Sequence, residues 1–234
     1  MITLRAAEKR GHGMHGWLDT WHSFSFAGYY DPAHIHWGPL RVINEDRVQP
    51  GRGFGTHGHD NMEIISYVLA GALGHKDSMG TQSRIVPGEV QRMSAGTGIT
   101  HSEFNYEEHG LTHFLQIWII PSQRGLPPSY EQTAFSEAEK RGRLRLVASP
   151  DGRDGSVTIH QDAYMFSGLF DGNEQVEYQI PAGRLGYVHV ARGEAEVNGR
   201  TLRAGDALLY EDEPEVAIAN GDESEILVFD LPRM

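Results

Sequence analysis

The chain contains no cysteine. That one absence removes thiolate zinc sites, iron–sulfur ligation, thiol nucleophiles and any disulfide framework. Basic charge is scarce: 20 Lys and Arg stand against 32 Asp and Glu, for a formal net charge of −12. A surface built to hold a phosphate backbone, and hence direct nucleic-acid binding, is not expected. No apolar run approaches the roughly 18 residues needed to span a bilayer. The opening residues, Met1-Ile-Thr-Leu-Arg-Ala-Ala-Glu-Lys-Arg-Gly11, carry no apolar block of the kind that heads a secretory signal. Walker loops, Gly-x-Ser-x-Gly elbows and His-Glu-x-x-His helices are missing as well. The expectation is a cytoplasmic protein with no membrane contact, whose chemistry rests on histidine and carboxylate.

What is present points to β-structure. Over 234 residues, 28 glycines and 11 prolines punctuate short apolar runs. Glu63-Ile-Ile-Ser-Tyr-Val-Leu69, His113-Phe-Leu-Gln-Ile-Trp-Ile-Ile120 and Glu225-Ile-Leu-Val-Phe-Asp-Leu231 are typical. Each is rich in β-branched and aromatic side chains and bounded by turn formers, which predicts an all-β sandwich or barrel. Only Tyr130 to Arg141 reads as helical. A breaker-rich segment, Pro121-Ser-Gln-Arg-Gly-Leu-Pro-Pro-Ser129, is the best linker. The second half also echoes the first: Tyr67-Val-Leu-Ala-Gly71 matches His189-Val-Ala-Arg-Gly193, and Val86-Pro-Gly88 matches Arg203-Ala-Gly205. A duplicated β unit is expected, with domains at 1–130 and 131–234.

The 13 histidines cluster in two places, Thr56-His57-Gly58-His59 and Thr100-His101-Ser102-Glu103. Residues i and i+2 of a strand share a face. His57 and His59 therefore project together, as do His101 and Glu103. Two such strands side by side would converge three imidazoles and one carboxylate, a set suited to a divalent first-row metal: Fe(II) foremost, with Ni, Cu, Mn, Co or Zn also compatible. Four protein ligands leave positions open only on a five- or six-coordinate ion, as Fe(II) commonly is.

Gly51-x5-His57-x-His59-x3-Glu63 resembles the first motif of the cupin superfamily, and Gly96-Thr97-Gly98-x2-His101-x3-Asn105 resembles its second. Gly96 stands where that motif usually carries proline, and the glycine expected six residues after the first-motif glutamate is displaced by one, to Gly71. More narrowly, three stretches resemble the pirin family: His15-Gly-Trp-Leu-Asp-Thr-Trp-His22 on to Pro32, Phe54-Gly-Thr-His-Gly-His59 on to Gly71, and Met93-Ser-Ala-Gly-Thr-Gly-Ile-Thr-His101 on to Asn105. Leu115-Gln-Ile-Trp118 and His160-Gln-Asp-Ala163 extend the likeness over most of the chain. It looks like a bacterial pirin-like protein of the quercetin 2,3-dioxygenase type.

That resemblance implies a bicupin, two jelly-roll-like β-barrel domains in tandem, with metal held only by the first. It implies a metal-dependent dioxygenase that opens the heterocyclic ring of a flavonol such as quercetin, using dioxygen and releasing carbon monoxide. The alternative is a non-enzymatic metal-binding regulatory or redox-sensing protein that acts through a protein partner. Ligands would be His57, His59 and His101, with a carboxylate. In cupins at large that carboxylate is the first-motif glutamate, here Glu63; in the pirin family it comes from the second motif, here Glu103. Strand parity leaves both open, while pairing with His101 favours Glu103, with Glu63 then supporting the ligands. The same two residues are the candidate catalytic bases.

The second half keeps no ligand. Ungapped registers put Gln179 and Pro181 at the places of His57 and His59, and Ile218 and Asn220 at those of His101 and Glu103. Among the remaining features, Trp17, Trp21, Phe24, Phe26, Tyr29 and Tyr30 form an aromatic cluster, expected mainly in the core, with a share at the cavity mouth. His22, His75 and His113 are single histidines of structural or pocket-lining kind. Gln116 and Trp118 alternate with Leu115 and Ile117, so one of these pairs must face inward. Lys140-Arg-Gly-Arg-Leu-Arg145, the only basic run, is expected to be solvated.

Overall fold

A computed structural model describes all 234 residues. It is nearly all strand, arranged in three sheets. A seven-stranded sheet runs β12 (Ser129–Ala134), β9 (Glu89–Ser94), β6 (Glu63–Ala70), β11 (Thr112–Ile119), β4 (Leu40–Val48), β3 (Leu18–His22) and β2 (Gly11–Met14). A four-stranded sheet, β5 (Gly53–His59), β10 (Ile99–Asn105), β7 (Leu73–Asp77) and β8 (Gln82–Ile85), faces it. The third sheet runs β1 (Ile2–Arg5), β19 (Ala207–Glu211), β17 (Leu185–Val197), β20 (Glu215–Leu231), β15 (Tyr164–Phe170), β13 (Arg145–Ser149) and β14 (Val157–Thr158). Two further strands join it, β16 (Val176–Gln179) on β20 and β18 (Arg200–Arg203) on β17.

The duplication is visible in the pairing. Order β9-β6-β11-β4-β3 in the first half is matched by β19-β17-β20-β15-β13 in the second. Likewise β5-β10-β7-β8 is matched by β16, the start of β20, the end of β17 and β18. In the second half the long strands run from one layer into the other through successive bulges at Val190/Arg192, Arg192/Glu194 and Glu194/Glu196. Gly71 and Gly193, aligned by sequence, both turn the chain at positive φ (+72° and +64°), a conformation glycine adopts without Cβ penalty.

Each half is a cupin-type double layer, as expected, and its sheets do not close into a continuous barrel. Each sheet ends on unpaired edges, β2 and β12 in one and β5 and β8 in the other, so the layers meet through side chains and not through edge hydrogen bonds. The helix expected over Tyr130–Arg141 is corrected. Its first part is β12, paired along its length with β9. Only α1 (Glu137–Lys140) is helical, started by a capping box between Ser136 and Glu139. The local composition there favours helix, and sheet pairing overrides it.

Strand pairing does not follow the chain midpoint. A cut at 130/131 passes through β12, and β1 pairs with β19 of the other half, Ile2 opposite Tyr210. The breaker-rich segment folds back on the first half, where Thr97 N–H donates to Leu126 O (2.8 Å) and Gly125 N–H to Asn61 Oδ1 (2.8 Å). Strand alternation supplies the shared core. Ile43, Ile65, Tyr67, Leu115 and Ile117 point toward the second half and join Val147, Met165, Tyr187, Leu227 and Phe229 in one apolar cluster. The alternate residues of the same strands, Asn44, Asp46, Ser66, Gln116 and Trp118, point the other way, into the space between the two sheets of the first half. No helix is long and apolar enough to cross a membrane.

Candidate metal centre

β5 and β10 lie antiparallel with His101 opposite His57 and Ile99 opposite His59. A register shift between His101 and Glu103 then sets Glu103 against Phe54. This ladder brings three rings together: centroids are 4.7 Å apart for His57–His59, 4.5 Å for His57–His101 and 4.9 Å for His59–His101. One nitrogen from each lies within 4.8 Å of the other two. His57 Nδ1 donates to Gly55 O at 2.8 Å. Because a carbonyl can only accept, the proton sits on Nδ1 and the Nε2 lone pair is left facing His101 Nε2 at 3.1 Å. His59 Nε2 is buried with no hydrogen-bond partner. Burial holds His59 down to about 4 and His101 to about 3, and the neighbouring imidazoles add to the effect. Both are therefore neutral at pH 7, with lone pairs open. Three imidazole nitrogens within 4.8 Å of one another form a set that suits a divalent cation.

Glu103 is buried beside this trio. It accepts from Gln116 Nε2 at 2.7 Å and Ser66 Oγ at 3.3 Å, and Gln116 Oε1 in turn accepts from Trp118 Nε1 at 3.2 Å. Its carboxylate lies within 4.8 Å of ligand atoms of His101 and of His75, so His101 belongs to both groups. His75 is anchored from behind, Nε2 to Asp77 Oδ2 at 3.0 Å. Glu63 is not brought to the centre. It sits on the opposite face of β6, where one oxygen takes Ser94 Oγ at 2.9 Å and both the backbone N–H and Nδ1 of His160, each at 3.2 Å. It thus pins the second half to the first, and the expectation of a ligating or basic role is corrected.

A cavity of about 490 Å³ opens in front of His57, His59 and Glu103. Its floor comes from the seven-stranded sheet: Thr20, His22, Asn44, Asp46, Gln116 and Trp118. Its rim is aromatic, with Trp17 edge-on to Phe54 (5.4 Å) and Trp118 edge-on to both Phe26 (5.4 Å) and His59 (4.9 Å). The aromatic cluster thus divides: Trp17 and Phe26 line the cavity, Phe24 is core, Trp21 stacks on His12, and Tyr30 is exposed. His22 is held by Asn44 Oδ1 (2.8 Å), whereas His113 lies on the outer face against Glu45 (2.9 Å).

Asp46 has no counterpart among the sequence expectations. It is 4% exposed, and burial pushes it up to about 7, with the Thr20 hydroxyl opposing and Glu103 and Glu45 adding. One of two adjacent acidic residues in Asn44-Glu-Asp-Arg47 gives no signal. Only the alternation of β4 could have pointed it inward with Asn44. The basic run also departs from expectation: Lys140 is buried, with Nζ 3.2 Å from Glu225.

In the second half the rung equivalent to His57–His101–Asp77 is Val176–Ile218–Val197. Ile218 and Val197 are buried in a second apolar cluster with Val176 packed against it. At this rung all three side chains are hydrocarbon and offer no ligand atom.

The chain was compared with known proteins. The family model Pirin matches residues 3–119, and the model described as the quercetinase C-terminal cupin domain matches residues 146–231. A protein named quercetin 2,3-dioxygenase from Escherichia coli is 47% identical over 232 residues, covering 99% of both chains. A pirin-like protein of Caulobacter vibrioides is 39% identical over 231 residues, covering 98% of this chain and 99% of that one. The crystal structure of the bacterial pirin YhhW from Escherichia coli in complex with nickel(II) superposes with a TM-score of 0.95 at 46% identity, covering 100% of both chains.

Proposed function

The chain belongs to the pirin family, and from that premise we propose that it is a metal-dependent dioxygenase which opens the heterocyclic ring of a flavonol such as quercetin with dioxygen, releasing carbon monoxide. The observation that carries this reading is the convergence of nitrogens from His57, His59 and His101 at the mouth of an aromatic-rimmed cavity. With Glu103 these residues would hold one divalent transition metal, for which Fe(II) is our choice because a six-coordinate ion leaves positions open beyond four protein ligands. The relative crystallised with nickel(II) supports a divalent ion at this kind of centre. Once bound, such an ion supplies Lewis-acid polarisation of the substrate hydroxyl.

The protein's own groups do the rest. Trp17, Phe26, Phe54 and Trp118 bracket a planar ring system and exclude water from it. The cavity volume is within the ordinary range for a small aromatic ligand. Glu103 is the group placed to take the proton that the flavonol hydroxyl loses. Ser66 and Gln116 donate to its oxygens, and Trp118 fixes Gln116, so the carboxylate is held in one orientation. Homologues named as quercetin dioxygenases support the choice of substrate.

His101→Ala should abolish metal uptake and flavonol turnover together. Metal analysis of protein purified without chelator, followed by carbon monoxide detection on quercetin, checks both. Full carbon monoxide release by that variant would overturn the mechanism. Stoichiometric metal in the wild type without turnover of any flavonol would assign the centre to a non-enzymatic role.

A further inference from the structure

We propose that Asp46 is a binding residue for a substrate hydroxyl, placed on the cavity floor opposite the imidazoles and selecting polyhydroxylated over unsubstituted ring systems. The inference rests on the flavonol reading above and names a determinant of specificity within it.

Seven carboxylates are buried in this chain: Glu45, Asp46, Glu63, Asp77, Glu103, Glu225 and Asp230. Six are satisfied. Glu45 has Arg10 (2.9 Å), Arg47 (2.7 Å) and His113 (2.9 Å). Glu225 has Lys140 (3.2 Å) and Tyr67, and Asp230 has Arg184 and Tyr178 (2.6 Å to Tyr178). Asp77 takes His75 and the backbone N–H groups of Met79 (2.9 Å) and Thr81 (3.0 Å). Glu63 and Glu103 have the donors already described. Glu103 has no cation either, but both of its oxygens are taken by donors. Asp46 has no cation, its one side-chain donor is the Thr20 hydroxyl, and its Oδ1 has no hydrogen-bond partner.

An orphaned buried acceptor is costly, so a fold that satisfies its other buried acids leaves this one short for a reason. The cost is recovered if the missing donor arrives with a ligand. Asp46 lines the cavity, which supplies the room. The donor that suits an aromatic-rimmed site is a phenolic hydroxyl: it is neutral, carries one O–H, and projects from the edge of a flat ring that the tryptophans can bracket. β4 and β5 lie on opposite layers. A ring hydroxyl on Asp46 is therefore distinct from the one presented to the imidazoles, and the ligand needs at least two.

The test compares quercetin, with several ring hydroxyls, and 3-hydroxyflavone, which carries only the one shared by all flavonols. Anaerobic titration of the metal-loaded protein is read by quenching of tryptophan fluorescence, since Trp17 and Trp118 line the cavity. Asp46→Leu should weaken quercetin binding about tenfold or more while leaving 3-hydroxyflavone within twofold. Asp46→Asn, which preserves shape and one acceptor oxygen, should move the quercetin to 3-hydroxyflavone affinity ratio by about threefold in the same direction, and decides the matter should the leucine variant not fold. An unchanged ratio in the folded variants, or an equal loss for both ligands, overturns the role of Asp46 and leaves the flavonol reading standing. Failure of the wild type to bind either flavonol overturns both.

Discussion

His189 carries two ring nitrogens into the core between the halves without a partner for either. Burial lowers its pKa to about 3, and the positive charge of Arg10 contributes in the same direction. The unfolded chain titrates near 6.5. Above that pH both states are neutral and the group contributes no pH dependence. As the pH falls from 6.5 toward 3 only the unfolded state takes up the proton, so stability is lost at about 1.4 kcal/mol per pH unit. His189→Leu should therefore lose about 2 kcal/mol less than the wild type between pH 7.5 and pH 5, measured by urea unfolding at both values. Equal losses would exclude His189 from the acid limb. At this scale the sequence revealed the clustered histidines better than the walls around them. His57, His59 and His101 were legible as a cluster because two pairs of ligand-type residues, His57/His59 and His101/Glu103, each stand two apart after a glycine-rich turn. Asp46 and His189 were not, because a single polar residue looks the same whether its strand turns it to water or into the interior.

Strands carry the information that single residues lack. The alternation in β6 and β11 was readable as β-structure, but which face met which layer was not, and Gln116 and Glu63 went to opposite sides of one sheet. The Tyr130–Arg141 stretch failed for a related reason: its residues tolerate helix, and only the exposed edge of β9 decides for strand. The β5–β10 pair offers a direct test of how far the ladder makes the centre. A methyl group on Gly53 would sit 2.2 Å from Glu103 O and 2.4 Å from Phe104 Cα. Gly53→Ala must therefore push β5 away from β10, and the 3.1 Å approach of His57 to His101 goes with it. Metal affinity should fall tenfold or more, as read by competition with a chromogenic chelator, because misplaced ligands cost this much even when all are retained. Unchanged affinity would mean that the imidazoles are positioned by their own loops and not by the ladder.

The two halves were legible as a repeat, yet they are not independent bodies. Tyr67 of the first half bonds Ser167 (2.7 Å) and Glu225 of the second, Trp37 Nε1 donates to Gly186 O (2.9 Å), and His160 reaches back to Glu63. With one apolar cluster built from both, calorimetry should show a single cooperative transition. Removal of residues 1–5 strips β1 from β19 and leaves an unpaired edge on the third sheet. The expected outcome is a Tm lower by on the order of 5–10 °C with the single transition retained. Two separated transitions would show that the halves fold apart.

The pairing of β1 with β19 also sets a clock. A ribosome adding residues at about 5–20 per second would finish Arg5 roughly ten to forty seconds before it reaches Ala207, the residue opposite it. Strand β1 can thus be seated only after β19 has been made, and until then it lacks its partner. The third sheet gains this edge only after roughly two hundred further residues have followed β1, which leaves that strand to the care of whatever attends the chain during synthesis.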